Sequence, residues 1–239
     1  MRLNMSRNGK TSNGDPRGRT RGAHVRVKTA RGRKLSSTRW LERQLNDPFV
    51  AEARRLGYRS RAAFKLVWLD DKYKLLKGAK RIVDLGAAPG GWTQVIVERA
   101  DKDAQVVGID LREMEAVPGA DLLIMDFMTD EAEKELLDRL GGPVDIVLSD
   151  LANYATGHKQ TDHLRTMALC ETALDFAKKV LAPGGVFVAK VLRGGAEAGL
   201  LNDLKHNFKS VKHAKPDASR KESTELYVVA QGFKGREGE

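Results

Sequence analysis

The stretch Ile82–Gln94, IVDLGAAPGGWTQ, constrains this chain more than any other. An apolar run closes on Asp84, breaks into Gly86, Pro89, Gly90 and Gly91, and gives way to an apolar-periodic segment. That pattern is a buried strand, a tight loop and a helix start. A glycine-rich turn below a helix N-terminus is where open α/β sheets hold nucleotide-like ligands. From Arg81 the alternation continues, with strands expected near 81–85, 105–109, 121–125, 144–149 and 185–191 and helices near 91–100, 130–140, 161–181 and 197–206. Two more strands are expected near 209–213 and 225–231. The fold class is therefore α/β, a mostly parallel, doubly wound sheet with helices on both faces.

The loop itself narrows the ligand. Aligned to the dinucleotide fingerprint G-x-G-x-x-G on Gly86 and Gly91, the chain has Ala88 at the middle glycine. That glycine lets backbone approach a pyrophosphate, so its absence argues against a nicotinamide dinucleotide. A cofactor without phosphate, such as S-adenosylmethionine, has no need of it. Its shape also suits the acids. Asp84 can help hold an ammonium group, Asp110 (in VVGIDL) can accept ribose hydroxyls, Asp126 (in LLIMDF) can take an adenine amino group, and Asp150 (in DIVLSD) falls near a reacting methyl. One acid at a strand end is ordinary turn or capping chemistry, whereas four at successive strand ends are not.

Ahead of the sheet, Trp40, Leu41 and Leu45 suggest a short helix, and ordered structure is expected from near Ser37. Asp47 and Pro48 form an N-cap and N1 pair for a second helix that Gly57 stops, and Ser60 is placed to cap a third that carries Lys65. Arg54, Arg55, Arg59 and Arg61 on these helices extend a basic surface toward the ligand crevice. Charge locates a further region. Residues 1–34 hold eleven basic residues against the single acid Asp15, so they carry the whole formal net charge of +10. Their Gly-, Ser-, Asn- and Arg-rich composition buries too little to fold alone and reads as a disordered basic RNA-binding tail over 1–35. The domain reading is completed by 36–234, the α/β domain with an N-terminal helical extension, and by a short C-terminal tail, 235–239.

No run approaches a membrane span, no apolar signal-peptide core opens the chain, and Cys170 is the only cysteine. A disulfide framework is excluded within one chain, Cys170 reads as a packed core residue, and the location is expected to be cytoplasmic. The five histidines are dispersed, and solvent or RNA contacts suit them better than a metal, of which none is expected.

The motifs SSTRWLERQLNDPFV, RSRAAFKL, VDLGAAPGGWTQ, VGIDL, MDF, LSD, GGVFVAKV and KPDASRKESTELYVVAQG occur in order along the globular part. Over about Ser36 to Lys234 the chain resembles the RlmE/FtsJ (RrmJ) family of ribosomal RNA large-subunit 2′-O-methyltransferases. The resemblance implies a Rossmann-like seven-stranded sheet with a reversed final hairpin and S-adenosylmethionine as cofactor. It places Gly90, Trp92, Asp110, Asp126 and Asp150 against that cofactor. It also implies a Lys-Asp-Lys-Glu tetrad, matched here by Lys65, Asp150, Lys190 and Glu225, with Glu222 a neighbouring candidate that the family pattern passes over. The substrate implied is a uridine ribose in the A-loop of 23S rRNA, with the large ribosomal subunit as partner and a monomer as the working form.

The chemistry needs such a set. A ribose 2′-hydroxyl is a poor nucleophile that must be lined up for in-line displacement and must lose its proton. Lys190 ends the apolar run Gly185–Ala189, where desolvation and a second cation, Lys65, favour a neutral amine. Asp150 opposes that and can orient, while Glu225 can position a lysine or the ribose. After Asp150 the family commonly reads Met-Ala-Pro-Asn, whereas this chain has Leu151-Ala152-Asn153-Tyr154. The loop also lacks the Asp-Pro-Pro-aromatic motif of base-amine methylation, which supports an oxygen target. Transfer RNA or another RNA as substrate, or a non-catalytic RNA-binding or ribosome-assembly role, are the competing expectations.

Overall fold

The computed structural model describes residues 26–27, 35–152, 156–193, 197–220 and 222–235. Apart from Arg26 and Val27, the basic tail lies outside the described residues, as do Asn153 and Tyr154 of the departing loop. The chain divides into two units, Met1–Asp47 and Pro48–Glu239. In the first, α1 runs over Leu35–Leu45, starting two residues ahead of Ser37. Its last turn is closed by Asn46, whose side-chain amide and backbone N–H both donate to the Glu42 carbonyl.

The second unit opens with α2 (Pro48–Leu56), begun by the expected proline and followed by Gly57 at φ +79°. Next come α3 (Ala63–Tyr73), β1 (Arg81–Leu85), α4 (Gly91–Arg99), β2 (Gln105–Asp110), β3 (Asp121–Ile124), α5 (Asp130–Leu140) and β4 (Val144–Ser149). The chain finishes through α6 (Lys159–Val180), β5 (Leu181–Leu192), α7 (Glu197–Asn207), β6 (Phe208–Ala214) and β7 (Glu225–Phe233). The seven strands stand in the order β3-β2-β1-β4-β5-β7-β6. The first five are mutually parallel, and β7 runs antiparallel between β5 and β6. This is the expected α/β sheet with its final hairpin reversed.

Strand alternation divides the apolar side chains between two cores. Val83, Leu85, Phe187 and Ala189 pack with Leu136, Leu140, Met167, Cys170 and Phe208 on one face. Ile82, Leu148, Val188 and Tyr227 pack with Leu66, Leu69, Trp92 and Ile96 of α3 and α4 on the other. Cys170 is a core residue, as expected, and burial pushes its thiol up to about 12.

Three local expectations are corrected. Ser60 does not cap α3: the cap position is Ala62, and the buried Ser60 hydroxyl has no hydrogen-bond partner. Its Oγ is turned toward Gly91, where a Cβ would approach it to 2.5 Å, while its carbonyl closes the turn by accepting from the Ala63 N–H. Lys190 is inside β5 rather than at its end. The parallel pairing with β4 stops at Ala189 opposite Ser149, but the antiparallel pairing with β7 continues to Leu192 opposite Glu225. Finally, His158 caps α6, its ring nitrogen accepting from the Thr161 N–H, and the Nε2 of His163 is buried with no hydrogen-bond partner rather than turned to solvent.

Candidate active site

Alternation also decides which polar groups meet. Asp84 shares strand parity with Ile82, Asp150 follows Leu148 by two, Lys190 follows Val188 by two, and Glu225 and Tyr227 keep step with Val229. All therefore lie on the sheet face that α3 and α4 cover. The register sets Lys190 directly opposite Tyr227, and α3 delivers Lys65 from above.

The four residues of the expected tetrad converge. Lys190 Nζ donates to Asp150 Oδ1 at 3.0 Å and to the Asp150 carbonyl at 2.9 Å. Lys65 Nζ is 2.6 Å from Glu225 Oε1 and 3.8 Å from Asp150 Oδ1. Two groups that were not foreseen complete the cluster. The Tyr227 hydroxyl donates to Asp150 Oδ1 at 2.6 Å, and the Ser219 hydroxyl donates to Glu225 Oε1 at 3.2 Å. Two cations thus face two anions, all largely removed from water. Burial works against the charge on Lys65, but Asp150 and Glu225 outweigh it and hold the ammonium above its usual range. Burial likewise raises Asp150, yet the charges of Lys190 and Lys65 and the hydrogen bond from Tyr227 bring its carboxyl below the ordinary value. Burial and the two carboxylates push Tyr227 far up, so its hydroxyl stays a donor.

The glycine loop lies beside this cluster on the same sheet edge. Gly86 and Gly90 have φ of +76° and +103°, a conformation that side chains rarely adopt. At Gly86 a Cβ would come within 2.7 Å of the Leu151 side chain, so the loops after β1 and β4 touch there. The Ala88 N–H donates to Asp110 Oδ2 at 3.0 Å. The backbone amide at this position is thus engaged by a carboxylate.

The other acids occupy distinct environments. Asp84 is only 1% exposed; its Oδ2 accepts from the Thr93 hydroxyl at 2.7 Å, while Oδ1 is buried without a hydrogen-bond partner. Desolvation, with Asp150 and Asp110 nearby, drives its carboxyl up to about 7. Asp110 is more occupied than its strand-end position suggests, because its Oδ1 also accepts from the backbone and Nε of Arg112. Asp126 uses Oδ1 to accept from the Met128 N–H and so shapes the turn into α5. Trp92 is a core side chain: it is 3% exposed, and its indole N–H donates to the Ala62 carbonyl at 2.9 Å. Arg59 clamps the loops after β1 and β2 by donating to the carbonyls of Pro89, Glu115 and Ala116. With Ala88, Arg112 and Met114 it lines a cavity of about 470 Å³.

The profile described as FtsJ-like methyltransferase matches residues 58–233, which span every strand and the whole cluster just described. The chain belongs to the FtsJ-like methyltransferases. It is 62% identical over 213 residues to the Ribosomal RNA large subunit methyltransferase E of Novosphingobium aromaticivorans, covering 89% of this chain and 96% of that one. It is 56% identical over 245 residues to the protein of the same name from Parvibaculum lavamentivorans, covering 97% and 96%. A crystal structure of a ribosomal RNA methyltransferase from Plasmodium falciparum is similar at TM-score 0.67 and 34% identity, over 75% of this chain and all of that one. Among the described residues of this FtsJ-like methyltransferase, no helix is long and apolar enough to cross a membrane.

Tyr227, Ser219 and Thr93 are the parts of the site that sequence reasoning missed as functional. Tyr227 had a usable signal, since a residue two beyond Glu225 on a strand must share its face. Arg59 was expected only as part of a basic surface toward the crevice; its bonds to three backbone carbonyls in other loops left no mark in the sequence.

Proposed function

We propose that the chain transfers a methyl group from S-adenosylmethionine to the 2′-hydroxyl of a uridine ribose in the A-loop of 23S rRNA, acting on the large ribosomal subunit as a cytoplasmic monomer. The observation that carries the reading is the Lys65–Glu225 and Lys190–Asp150 pairing at the rim of the glycine loop. The family and the printed names of its relatives supply the polymer.

The residues around the loop suit this cofactor. Asp84 offers an unpartnered buried oxygen, and Asp84, Asp110, Asp126 and Asp150 together make a row of acids suited to an amino-acid ammonium, a ribose and a sulfonium. When bound, the cofactor supplies an electrophilic methyl on a positive sulfur. Gly86 and Gly90 give the loop its close backbone approach, and Trp92, its ring committed to the core, would meet the cofactor only through its main chain.

Division of labour follows from the pairing. Lys65 is held as an ammonium by Glu225 and Asp150, which suits it to fixing the acceptor ribose through its hydroxyl oxygens. Lys190, aimed by two acceptors on Asp150, is positioned to take the 2′-hydroxyl proton as attack proceeds, once its own third proton has left to solvent and freed the lone pair. Tyr227 and Lys190 together lock Asp150, so the base and the methyl-donor side are held by one carboxylate. Mapping 2′-O-methylation in ribosomal RNA from cells lacking the gene should show the A-loop uridine unmethylated. Full methylation there would overturn the substrate assignment.

A further inference from the structure

Among the described residues, two lysines outside the tetrad are held against aromatic rings and no other lysine outside it is. Lys80, Lys134, Lys178 and Lys179 are each neutralised by carboxylates. Lys72 and Lys212 have no ion pair among the described residues. Aromatic faces fix them instead: Lys72 Nζ lies 4.7 Å from the Trp68 ring centroid and 5.4 Å from that of Tyr73, and Lys212 Nζ lies 6.0 Å from that of Tyr73. A ring restrains an ammonium without cancelling its charge. Both lysines are exposed, so their N–H donors still face water. The nearest acids along α3, Asp70 and Asp71, are both engaged by Arg99.

Position ties this pair to the acceptor site. Lys65, Trp68 and Lys72 follow one another at helical spacing of three and four, so they form one stripe along α3 that begins inside the tetrad. Seven residues of helix carry the stripe about 10 Å. Lys212 reaches the same place from the sheet. The row Lys190–Tyr227–Ala214 crosses three strands, and Lys212 stands two residues before Ala214 on the outermost of them. A helix-end lysine and an edge-strand lysine are each ordinary alone, serving the helix dipole and discouraging edge pairing. Their convergence on Tyr73, at the end of a stripe that starts at the catalytic cluster, is what those explanations do not require.

We propose that Lys72 and Lys212, set by Trp68 and Tyr73, are a phosphate clamp for the RNA strand that leads away from the acceptor ribose. The clamp rests on the RNA-methyltransferase reading, and it concerns the neighbouring nucleotides rather than the reacting one. Each ammonium would contact one backbone phosphate, displacing its counterion.

The test compares the full-length chain with the K72A/K212A double variant on 23S rRNA. The logarithm of the RNA association constant should fall less steeply with the logarithm of salt concentration, by about one unit per lysine. The KM for RNA should rise roughly five- to tenfold at moderate salt, as expected of lost uniform binding, with kcat and cofactor affinity within about twofold. The K72R/K212R variant should restore most of the slope, since guanidinium also stacks on rings and binds phosphate. An unchanged slope and KM in K72A/K212A would overturn the clamp and leave both lysines as structural charges. Absence of methyl transfer by the unaltered chain would instead overturn the methyltransferase reading, while the salt slope would still judge the clamp.

Discussion

Two neighbouring regions on one edge of the sheet handle buried charge in opposite ways. Around Asp150 each carboxylate has a lysine within hydrogen-bond reach, and both hydroxyls of the cluster donate inward. Around the glycine loop the acids outnumber the cations: Asp84 has only Thr93, and Asp110 has only the largely exposed Arg112 and backbone amides. The first region is balanced by the protein itself, and its geometry is set before anything binds. The second carries negative charge that burial penalises, so it gains from a cationic ligand. Charge balance marks the proposed catalytic quartet, and charge imbalance marks the proposed cofactor cleft.

The largest expected break in this contrast is Lys190→Ala. It removes the proposed base and leaves Asp150 with the Tyr227 hydroxyl and the more distant Lys65. The value of kcat should fall by about 10²–10⁴, the usual span for general-base catalysis, with cofactor affinity measured by calorimetry nearly unchanged. Transfer within tenfold of the unaltered chain would remove Lys190 from that role. Tyr227→Phe deletes the hydroxyl on Asp150 while keeping the ring that packs near Trp92. A tenfold loss of kcat is expected, roughly the value of one hydrogen bond to a charged group, with little change in KM for RNA. A variant equal to the parent in kcat would make the Tyr227 hydroxyl structural only.

The smallest effect sharpens the other side. Asp84 has a folded-state value of about 7 against an ordinary 3.8. Its stabilising contribution is complete below about pH 4, where both states are protonated, and it declines as pH rises to about 7, because the unfolded chain releases this proton while the folded protein still holds it. Asp84→Asn should flatten that decline and leave the fold more stable than the parent at pH 8. Denaturant titrations at pH 5 and pH 8 measure it. Parallel pH dependence in the two proteins would show that Asp84 is not the source.

Much of this contrast was legible beforehand. The strand ends and their acids follow from alternation and from Gly and Pro punctuation, and resemblance brought Lys65, Lys190 and Glu225 into one set. What escaped depends on which group reaches which. Tyr227 sits in Leu-Tyr-Val-Val, where an aromatic reads as strand propensity. Ser60 has the chemistry of a cap but faces Gly91, an orientation decided by packing across α3 and α4. Asp110 was assigned to a ribose without the Ala88 amide, whose direction depends on how the loop closes. A helix was expected to 181 and the strand only from 185, yet Leu181 pairs with Val144 and β5 starts there.

The placement of β7 has a consequence for how the chain is made. This strand is the last in sequence, but it stands between β5 and β6, and it brings both Glu225 and Tyr227. A ribosome releasing the chain in order exposes β5 with one long unpaired flank until residue 225 and beyond have emerged. A product cut short before then lacks Glu225 of the quartet and the Tyr227 hydroxyl on Asp150, and it presents an open apolar edge, the kind of surface that chaperones and proteases act on. Competence for chemistry and concealment of that edge therefore arrive together, with the same nine residues.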